Sequence, residues 1–190
     1  MDTQNSKKKQ RDTVRLQQYR DELVELIDQA ITDDGVVEVL EGVYLGRLSV
    51  PGDKVYGTLE PSLCVIAQGS KVVLVGDSRY QYDPFNCLLT TIDLPRISQV
   101  VEVSREKPYL SFRMKLDPGL VGSVVVEAGQ NSRKRNPNPE ATRVSPLDVE
   151  LLDPLVRLVR LVERPQEAHI MLPLSPRYLI FRLLKIAQGH

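Results

Sequence analysis

Short apolar and β-branched stretches alternate with turn-forming residues through the middle of the chain, from position 60 to position 116. Each stretch is only a few residues long, and Gly, Pro, Asp or Asn stands at its ends. This pattern is typical of short strands in an antiparallel sandwich, roll or barrel. The predicted strands are 36–40, 43–50, 60–69, 71–75, 79–82, 86–92, 96–104 and 109–116.

The last predicted strand alternates most strictly. Leu110, Phe112 and Met114 share one face, and polar residues occupy the positions between them. The alternation predicts a sheet with its apolar face in the core and its polar face in solvent. The glycine turns at 68–70 and 75–78 supply the positive φ that tight hairpins require, so we expect antiparallel neighbours on either side of each turn.

Apolar residues recur with helical spacing on both sides of the strand region. An amphipathic helix is predicted over 12–31, after a polar N-terminal stretch. A short helix is predicted from Asp117, its N-cap, to Glu127, with a proline in the first turn. Two further helices, over 146–163 and 174–188, are predicted to close the chain.

The stretch 130–142 is rich in Asn, Pro and basic residues and has almost no apolar ones. Burial cannot offset the entropy of ordering such a stretch, which predicts a loop or linker. The chain then divides into a polar tail with an N-terminal helix at 1–34, a β domain at 35–129, and a linker with a C-terminal helical pair at 130–190. The predicted fold class is mainly β with flanking helices, α+β.

The helix predicted over 146–163 follows a segment that resembles a capping box beginning at Ser145, and it is apolar around most of its girth. Such a helix needs two packing surfaces. One can be the β domain, and the other can be the final helix, the N-terminal helix or a second copy of the chain. We favour a homodimer, although coverage of the β domain alone would explain the same pattern. The candidate interface residues are Leu151, Leu155, Leu158 and Val162.

Charge and composition narrow the function classes. The chain has 25 basic and 25 acidic residues, so its net charge gives no electrostatic reason to bind nucleic acid or an anionic membrane. No apolar stretch is long enough to span a bilayer, and the polar N-terminus lacks the apolar core of a signal peptide. We expect a cytoplasmic protein without membrane contact. Cys64 and Cys87 lie in predicted strands and are expected to be buried thiols.

Residues that would support catalysis are scarce. The histidines, His169 and His190, lie outside the strand region, which argues against a histidine-rich metal site there. The sequence contains no P-loop and no glycine-rich dinucleotide fingerprint. Asp83, Asp93 and Glu102 lie beside turns, where carboxylates are usually solvated or capping. We therefore predict no enzyme activity, no metal and no cofactor.

Tyrosine and apolar residues in the strands suggest a small-molecule pocket, because such pockets are mainly apolar with a few hydroxyl groups. Ordinary core packing would also account for each of these residues. The candidate pocket residues are Cys64, Ile66, Tyr80, Tyr82, Tyr109, Phe112 and Met114. The ligand of such a pocket is unknown from the sequence.

Several segments carry a family resemblance. They are EPSLCVIAQG at 60–69, Asp93-Leu94-Pro95, Pro108-Tyr109-Leu110, Leu116-Asp117-Pro118, Asp153-Pro154-Leu155 and Phe181-Arg182-Leu183-Leu184. Over residues 35–189 the chain thereby resembles the N-terminal domain of AraC-type bacterial transcription regulators. Pro176 and Ile186 depart from the pattern of that family and affect how the last helix leaves the domain.

The resemblance implies a cupin-like antiparallel barrel or jelly roll that binds a small effector and helps the regulator to dimerise. It also implies that DNA is read by a C-terminal pair of helix-turn-helix units. We expect these units to follow residue 190 in a longer protein, so that this chain meets DNA only through them. Cupin metal ligands are histidines, so their absence from the strands implies an effector held without metal. The alternatives are a metal-free cupin-like enzyme, which needs an acid and a base in one pocket, and a plain scaffold domain.

Overall fold

Two antiparallel sheets with helices against one of them form the structure, which is a computed structural model describing residues 2–129 and 141–187. The helices are α1 (Asp2–Ala30), α2 (Pro118–Glu127), α3 (Val149–Arg160), α4 (Pro165–Met171) and α5 (Ser175–Ala187), and a 3-10 turn at Leu161–Glu163 follows α3. The strands are β1 (Gly35–Leu40), β2 (Val43–Leu48), β3 (Val55–Leu59), β4 (Ser62–Gln68), β5 (Ser70–Val75), β6 (Ser78–Tyr82), β7 (Asn86–Thr90), β8 (Leu94–Glu102), β9 (Tyr109–Lys115) and β10 (Thr142–Pro146).

The six-stranded sheet has the order β1-β2-β9-β4-β7-β10, and the four-stranded sheet has the order β3-β8-β5-β6. Every strand pair is antiparallel, as the alternating sequence predicted. The hairpin from β5 to β6 turns at Gly76, whose φ is 56°, and confirms one predicted glycine turn. The prediction that the strands flanking the turn at 68–70 pair with each other was wrong, because Gly69 joins β4 to β5 and these strands belong to different sheets.

Strand β4 is buried on both faces because it lies between two apolar clusters. Leu63 and Val65 belong to a cluster shared with α1, α3 and α5, whereas Cys64 and Ile66 belong to a second cluster between the sheets. The nearly continuous apolar run of β4 has this cause, since a strand with two covered faces needs no polar alternation. The structure therefore has three layers: helices, the six-stranded sheet and the four-stranded sheet.

The two faces of β9 differ from the sequence-based expectation. Leu110, Phe112 and Met114 face the helices, as members of the first cluster. The polar face was expected in solvent, but Ser111 and Arg113 pair in register with Ile66 and Cys64 of β4 and lie between the two sheets. The expectation of a solvated polar face was wrong because both faces of β9 are covered. The helices cover the apolar face, and the four-stranded sheet covers the polar one.

Helix α1 begins at Asp2, well before the predicted start at residue 12. Its first turns contain Lys, Gln and Arg, which have good helix propensity, and no glycine or proline interrupts them. Leu23 and Ile27 are 1% and 0% exposed and pack into the helix-side cluster. The helix thus forms part of the fold, a role that the sequence left open.

Helix α3 starts one turn later than predicted. Asp148 is its N-cap and accepts a hydrogen bond from the Leu151 backbone N–H at 2.8 Å. The predicted cap, Ser145, instead lies in β10 and pairs with Cys87 of β7. The backbone groups of this segment are hydrogen-bonded to β7 instead, and a strand of only five residues is too short to show a clear periodicity in the sequence.

The predicted dimer residues are already covered within one chain. Leu151, Leu155 and Leu158 are each 0% exposed, packed among α1, α5 and the six-stranded sheet, and Val162 in the 3-10 turn is half-buried. The assignment of the three leucines to a dimer interface is therefore wrong, whereas that of Val162 stays a prediction. The apolar excess of α3 is explained by two intramolecular packing surfaces, which were among the alternatives that the sequence allowed.

Other predicted elements have mixed outcomes. The N-cap of α2 is confirmed, since Asp117 accepts a hydrogen bond from the Leu120 N–H at 2.7 Å. Strand β3 and helix α4 were not predicted. Residues 130–140 of the predicted linker lie outside the described residues, and the boundaries drawn between the three parts of the chain stay predictions.

Candidate functional site

A cavity of about 290 Å³ lies between the two sheets. Apolar and aromatic side chains share its walls with hydroxyl groups, one carboxylate and three cationic side chains. The lining residues are Val36, Tyr44, Gly46, Thr58, Leu59, Glu60, Cys64, Lys71, Val73, Tyr82, Leu88, Arg96, Tyr109, Ser111, Phe112 and Arg113. A cavity that combines apolar surface with polar groups able to orient a ligand can serve as a small-molecule site.

Strand register places the three cations around the same space. Lys71 of β5 shares a strand face with Val73, and Arg96 of β8 lies two residues from Ser98, the cross-strand partner of Val73. Arg113 comes from β9 in the opposite sheet, paired with Cys64. Because side chains alternate along a strand, all three project between the sheets.

Arg113 is neutralised within the protein. Its Nη1 donates to Oε2 of Glu60 at 3.3 Å, and its guanidinium lies 4.3 Å from the centre of the Tyr44 ring. The Lys115 ammonium is 3.4 Å from the same Glu60 oxygen. Burial opposes ionisation of Glu60, but Lys115 and Arg113 together lower the pKa of this carboxyl. The only carboxylate among the lining residues is therefore engaged by two cations at the rim.

Lys71 and Arg96 have no such partner. Among the residues that the structure describes, no carboxylate forms an ion pair with either side chain. Arg96 donates to Oγ of Ser98, which is neutral. Burial, together with the charges of Arg96 and Arg113, lowers the pKa of Lys71. Burial therefore disfavours the charge of Lys71, and no ion pair among the described residues offsets that cost. Arg96 is half-buried.

Two buried tyrosines add hydroxyl groups. Tyr82 and Tyr109 are 3% and 6% exposed, and burial raises the pKa of both phenols. A hydrogen bond with Ser111 and the charge of Arg96 partly oppose the shift at Tyr109. Both phenols therefore stay protonated at neutral pH and can donate hydrogen bonds to a ligand.

The structure distributes the seven predicted pocket residues unevenly. Cys64, Tyr82 and Tyr109 line the cavity, and Phe112 borders it while packing on the helix side. Ile66 and Tyr80 belong to the apolar cluster around the cavity without lining it. Met114 lies on the other face of β9, towards the helices, because it shares the parity of Phe112.

Sequence reasoning missed the charged lining residues, Glu60, Lys71, Arg96 and Arg113. A signal was present for Lys71, which alternates with Val73 and Val75 on one strand face. A charged residue in such a series usually marks a strand end near solvent, and only the second sheet shows that this face is covered.

Two further observations concern metals and membranes. In the part of the chain that the structure describes, no group of three or more His, Cys, Asp or Glu side chains is arranged to hold a metal ion. His169 lies on α4, away from the cavity. None of the described helices has the length and apolar character needed to cross a bilayer.

Comparison with known families agrees with this architecture. The family model for the N-terminus of AraC-type transcriptional regulators matches residues 39–190. The chain belongs to this family. No curated protein sequence matches the chain.

The AraC-type domain is also similar to solved structures of ToxT from Vibrio cholerae. An apo ToxT variant gives a TM-score of 0.53 at 10% identity, covering 78% of this chain and 56% of ToxT. A further ToxT structure gives 0.46 at 14% identity, covering 62% and 46%, and ToxT bound to an unsaturated fatty acid gives 0.47 at 12% identity, covering 71% and 51%. The chain therefore spans little more than half of the ToxT chain, and the first likeness supports the mainly β, cupin-like fold class.

Proposed function

We propose that this AraC-type domain senses a small-molecule effector and that the cavity between the sheets is the effector site. The observation that carries the proposal is the cavity itself, in which apolar side chains lie beside two buried phenols, the desolvated Lys71 and the second cation Arg96. Core packing alone does not require charged side chains, because a buried cation without a counter-charge costs free energy. A bound effector supplies the missing partner.

The regulator would respond through a conformational equilibrium. A ligand that contacts both sheets favours the conformation in which they are closest, and only such differential affinity can shift a population. In a regulator of this family, the effector would change how a DNA-binding part is presented. The direction of the response, activation or repression, depends on that part.

The cavity favours binding over catalysis. General acid–base chemistry needs an acid and a base within hydrogen-bond reach of one substrate. Among the lining residues, Glu60 is held by Arg113 and Lys115, and the two phenols have raised pKa values that keep them protonated. These groups are suited to orienting a ligand, so we propose that the domain is not an enzyme.

A thermal-shift screen tests the effector site. Sugars, alcohols, aldehydes, aromatic acids and metal ions are offered to the wild-type chain and to Val73→Phe, which fills the cavity from β5. A true effector at a hundred times its Kd adds about 2.7 kcal/mol of stability. We expect a hit that Val73→Phe abolishes and that the control Val126→Phe, at a site 64% exposed, retains. A hit that Val73→Phe leaves intact would move the site elsewhere.

A second proposal, homodimerisation, rests on a different surface from the one predicted. Met171, Leu174 and Tyr178 are 41%, 57% and 50% exposed and line a groove of about 570 Å³ between α3, α4 and α5. The groove also contains residues of both charges, among them Asp153 and Arg164. A face with apolar residues and both signs of charge can complement itself around a two-fold axis, so we propose a second copy as its occupant.

Mass in solution tests the dimer. Leu174→Glu places a charge in the groove and should give a monomer, whereas Val126→Glu on α2 places the same charge on an exposed site that does not line the groove and should leave the dimer intact. Light scattering over a hundredfold range of concentration measures both. A wild-type chain that stays monomeric throughout that range would refute the dimer.

A further inference from the structure

The electrostatic balance of the cavity indicates what kind of effector fits. Three cations and one carboxylate line it, and the carboxylate is engaged by Arg113 and by Lys115 at the rim. Lys71 and Arg96 remain as two positive charges without an anionic partner among the described residues. A neutral ligand would leave both charges desolvated, whereas an anion would compensate them.

The positions of these two cations favour one planar anionic group. Lys71 and Arg96 line the cavity from neighbouring strands of the same sheet, β5 and β8. Lys71 pairs with Val100, four residues from Arg96, so the two long side chains must extend towards each other to hold one group. A carboxylate can accept hydrogen bonds from both, and the guanidinium fork matches its two oxygens. The protonated phenol of Tyr82, on the next strand and paired in register with Lys71, adds a donor beside them.

Part of the remaining wall is apolar. Leu59, Val73 and Leu88 line the cavity from both sheets, and the Tyr109 ring lies among them. Thr58 and Ser111 add neutral hydroxyl groups. We therefore expect a ligand body that is largely apolar and carries no second negative charge, because Lys71 and Arg96 are the only lining cations without an ion pair among the described residues.

Cavity size limits that body. A water molecule occupies about 30 Å³ of liquid, so 290 Å³ corresponds to roughly ten water molecules. A ligand of on the order of ten non-hydrogen atoms fills this space, which suits a phenyl ring or a short alkyl chain with a carboxylate. A long-chain acid exceeds this volume and would have to extend through the open side of the cavity.

We propose that the cavity binds a small organic monocarboxylate, aromatic or short-chain aliphatic, whose carboxylate lies between Lys71 and Arg96 and whose apolar body lies against Leu59, Val73 and Leu88. The proposal rests on the proposed effector site and specifies its ligand class. It makes Lys71 and Arg96 the specificity-determining residues, since they reject uncharged analogues of the same shape.

The experiment compares matched acids and amides. Cinnamate and octanoate are titrated against the wild-type chain by calorimetry, together with cinnamamide, octanamide and oleate. Lys71→Met and Arg96→Met keep much of the side-chain length and remove the charge, and Lys54→Met, at an exposed loop position, is the control. The thermal midpoint of each ligand-free variant is recorded to establish that it is folded.

We expect at least one short acid to bind, its amide to bind at least tenfold more weakly, and each cavity variant to lose about tenfold to a hundredfold in affinity. Lys54→Met should bind as the wild type does. The ligand-free Lys71→Met variant should unfold at the wild-type temperature or above it, because it removes a charge that burial disfavours. Arg96→Met, which removes a half-buried charge, should remain folded. Loss of affinity without loss of stability is a result that a purely structural role would not give.

Other outcomes overturn the proposal in distinguishable ways. If amides bind as tightly as acids and Val73→Phe abolishes both, the effector site stands and the carboxylate assignment is wrong. If oleate binds more tightly than the short acids, the size limit is wrong. If none of the acids, amides or compounds of the broader screen binds, the effector site fails as well.

Discussion

Helix α1 provides the clearest test of the three-layer architecture. Leu23→Ala and Ile27→Ala each remove most of a side chain that is 1% or 0% exposed in the helix-side cluster. Residues before 39 lie outside the range that the family model matches, so the family alone does not establish this packing. The two substitutions test whether packing of α1 against the six-stranded sheet contributes to the stability of the fold.

The expected cost follows from the burial. Each substitution removes roughly three buried carbon atoms, and at about 0.8 kcal/mol for each the transfer term alone is about 2.4 kcal/mol. The cavity left behind raises the total to about 3–4 kcal/mol. Leu23 and Ile27 are one turn apart and share neighbours, so the cost of the double variant need not be the sum of the two single costs.

Urea unfolding followed by circular dichroism measures these costs. With an m-value of about 2–3 kcal/mol/M, the midpoint of each variant should fall by about 1 M or more. Val14→Ala, at a site on the same helix that is 54% exposed, should change stability by less than about 0.5 kcal/mol. If Leu23→Ala and Ile27→Ala shift the midpoint no further than Val14→Ala, α1 is not packed as described.

Three other perturbations have defined outcomes. Leu155→Asp buries an uncompensated charge and should abolish folding by circular dichroism, and a folded monomer would contradict the packing of α3. Burial raises the pKa of Cys87 from 9.0 to about 12, so between these pH values the folded thiol keeps its proton and the unfolded thiol loses it. The free energy of unfolding should therefore fall as pH rises from 9 towards 12, by up to about 1.4 kcal/mol per pH unit. Urea titrations at successive pH values measure this slope, and Cys87→Ala should remove the part that the thiol contributes. Gly69→Ala should destabilise the chain more than Gly76→Ala in the same assay. Both glycines have positive φ, but only at Gly69 would a Cβ lie 2.4 Å from the Glu102 carbonyl oxygen. Equal losses of stability would contradict that geometry.

The sequence predicted local structure well where neighbouring residues determine it. The alternation of β9 and the cap at Asp117 are both decided within a few residues, and both are found in the structure. Strand β10 and the displaced start of α3 were missed, because the segment 142–146 is a strand only through its pairing with β7. A pairing between segments so far apart leaves no local periodicity to read.

The candidate site shows the same division. Cys64, Tyr82 and Tyr109 were found because an apolar or aromatic residue on the inner face of a strand is an ordinary pocket residue. Lys71 and Arg96 were missed, since their importance comes from being enclosed by a second sheet that a linear pattern does not reveal. The sequence also could not decide whether the apolar residues of α3 pack within the chain or against a second copy, because both arrangements bury the same side chains.

Strands β4 and β9 separate the helix-side cluster from the cavity, and each contributes side chains to both. Adjacent residues of β4, such as Leu63 and Cys64, are one peptide apart yet contact different compartments, the helices on one side and the cavity on the other. Protein interiors are close-packed, so a molecule that displaces the six-stranded sheet from the cavity side must also displace the helices that rest on it. Displacement of this sheet by a ligand in the cavity would thus act on the C-terminal helices directly, across the thickness of one sheet.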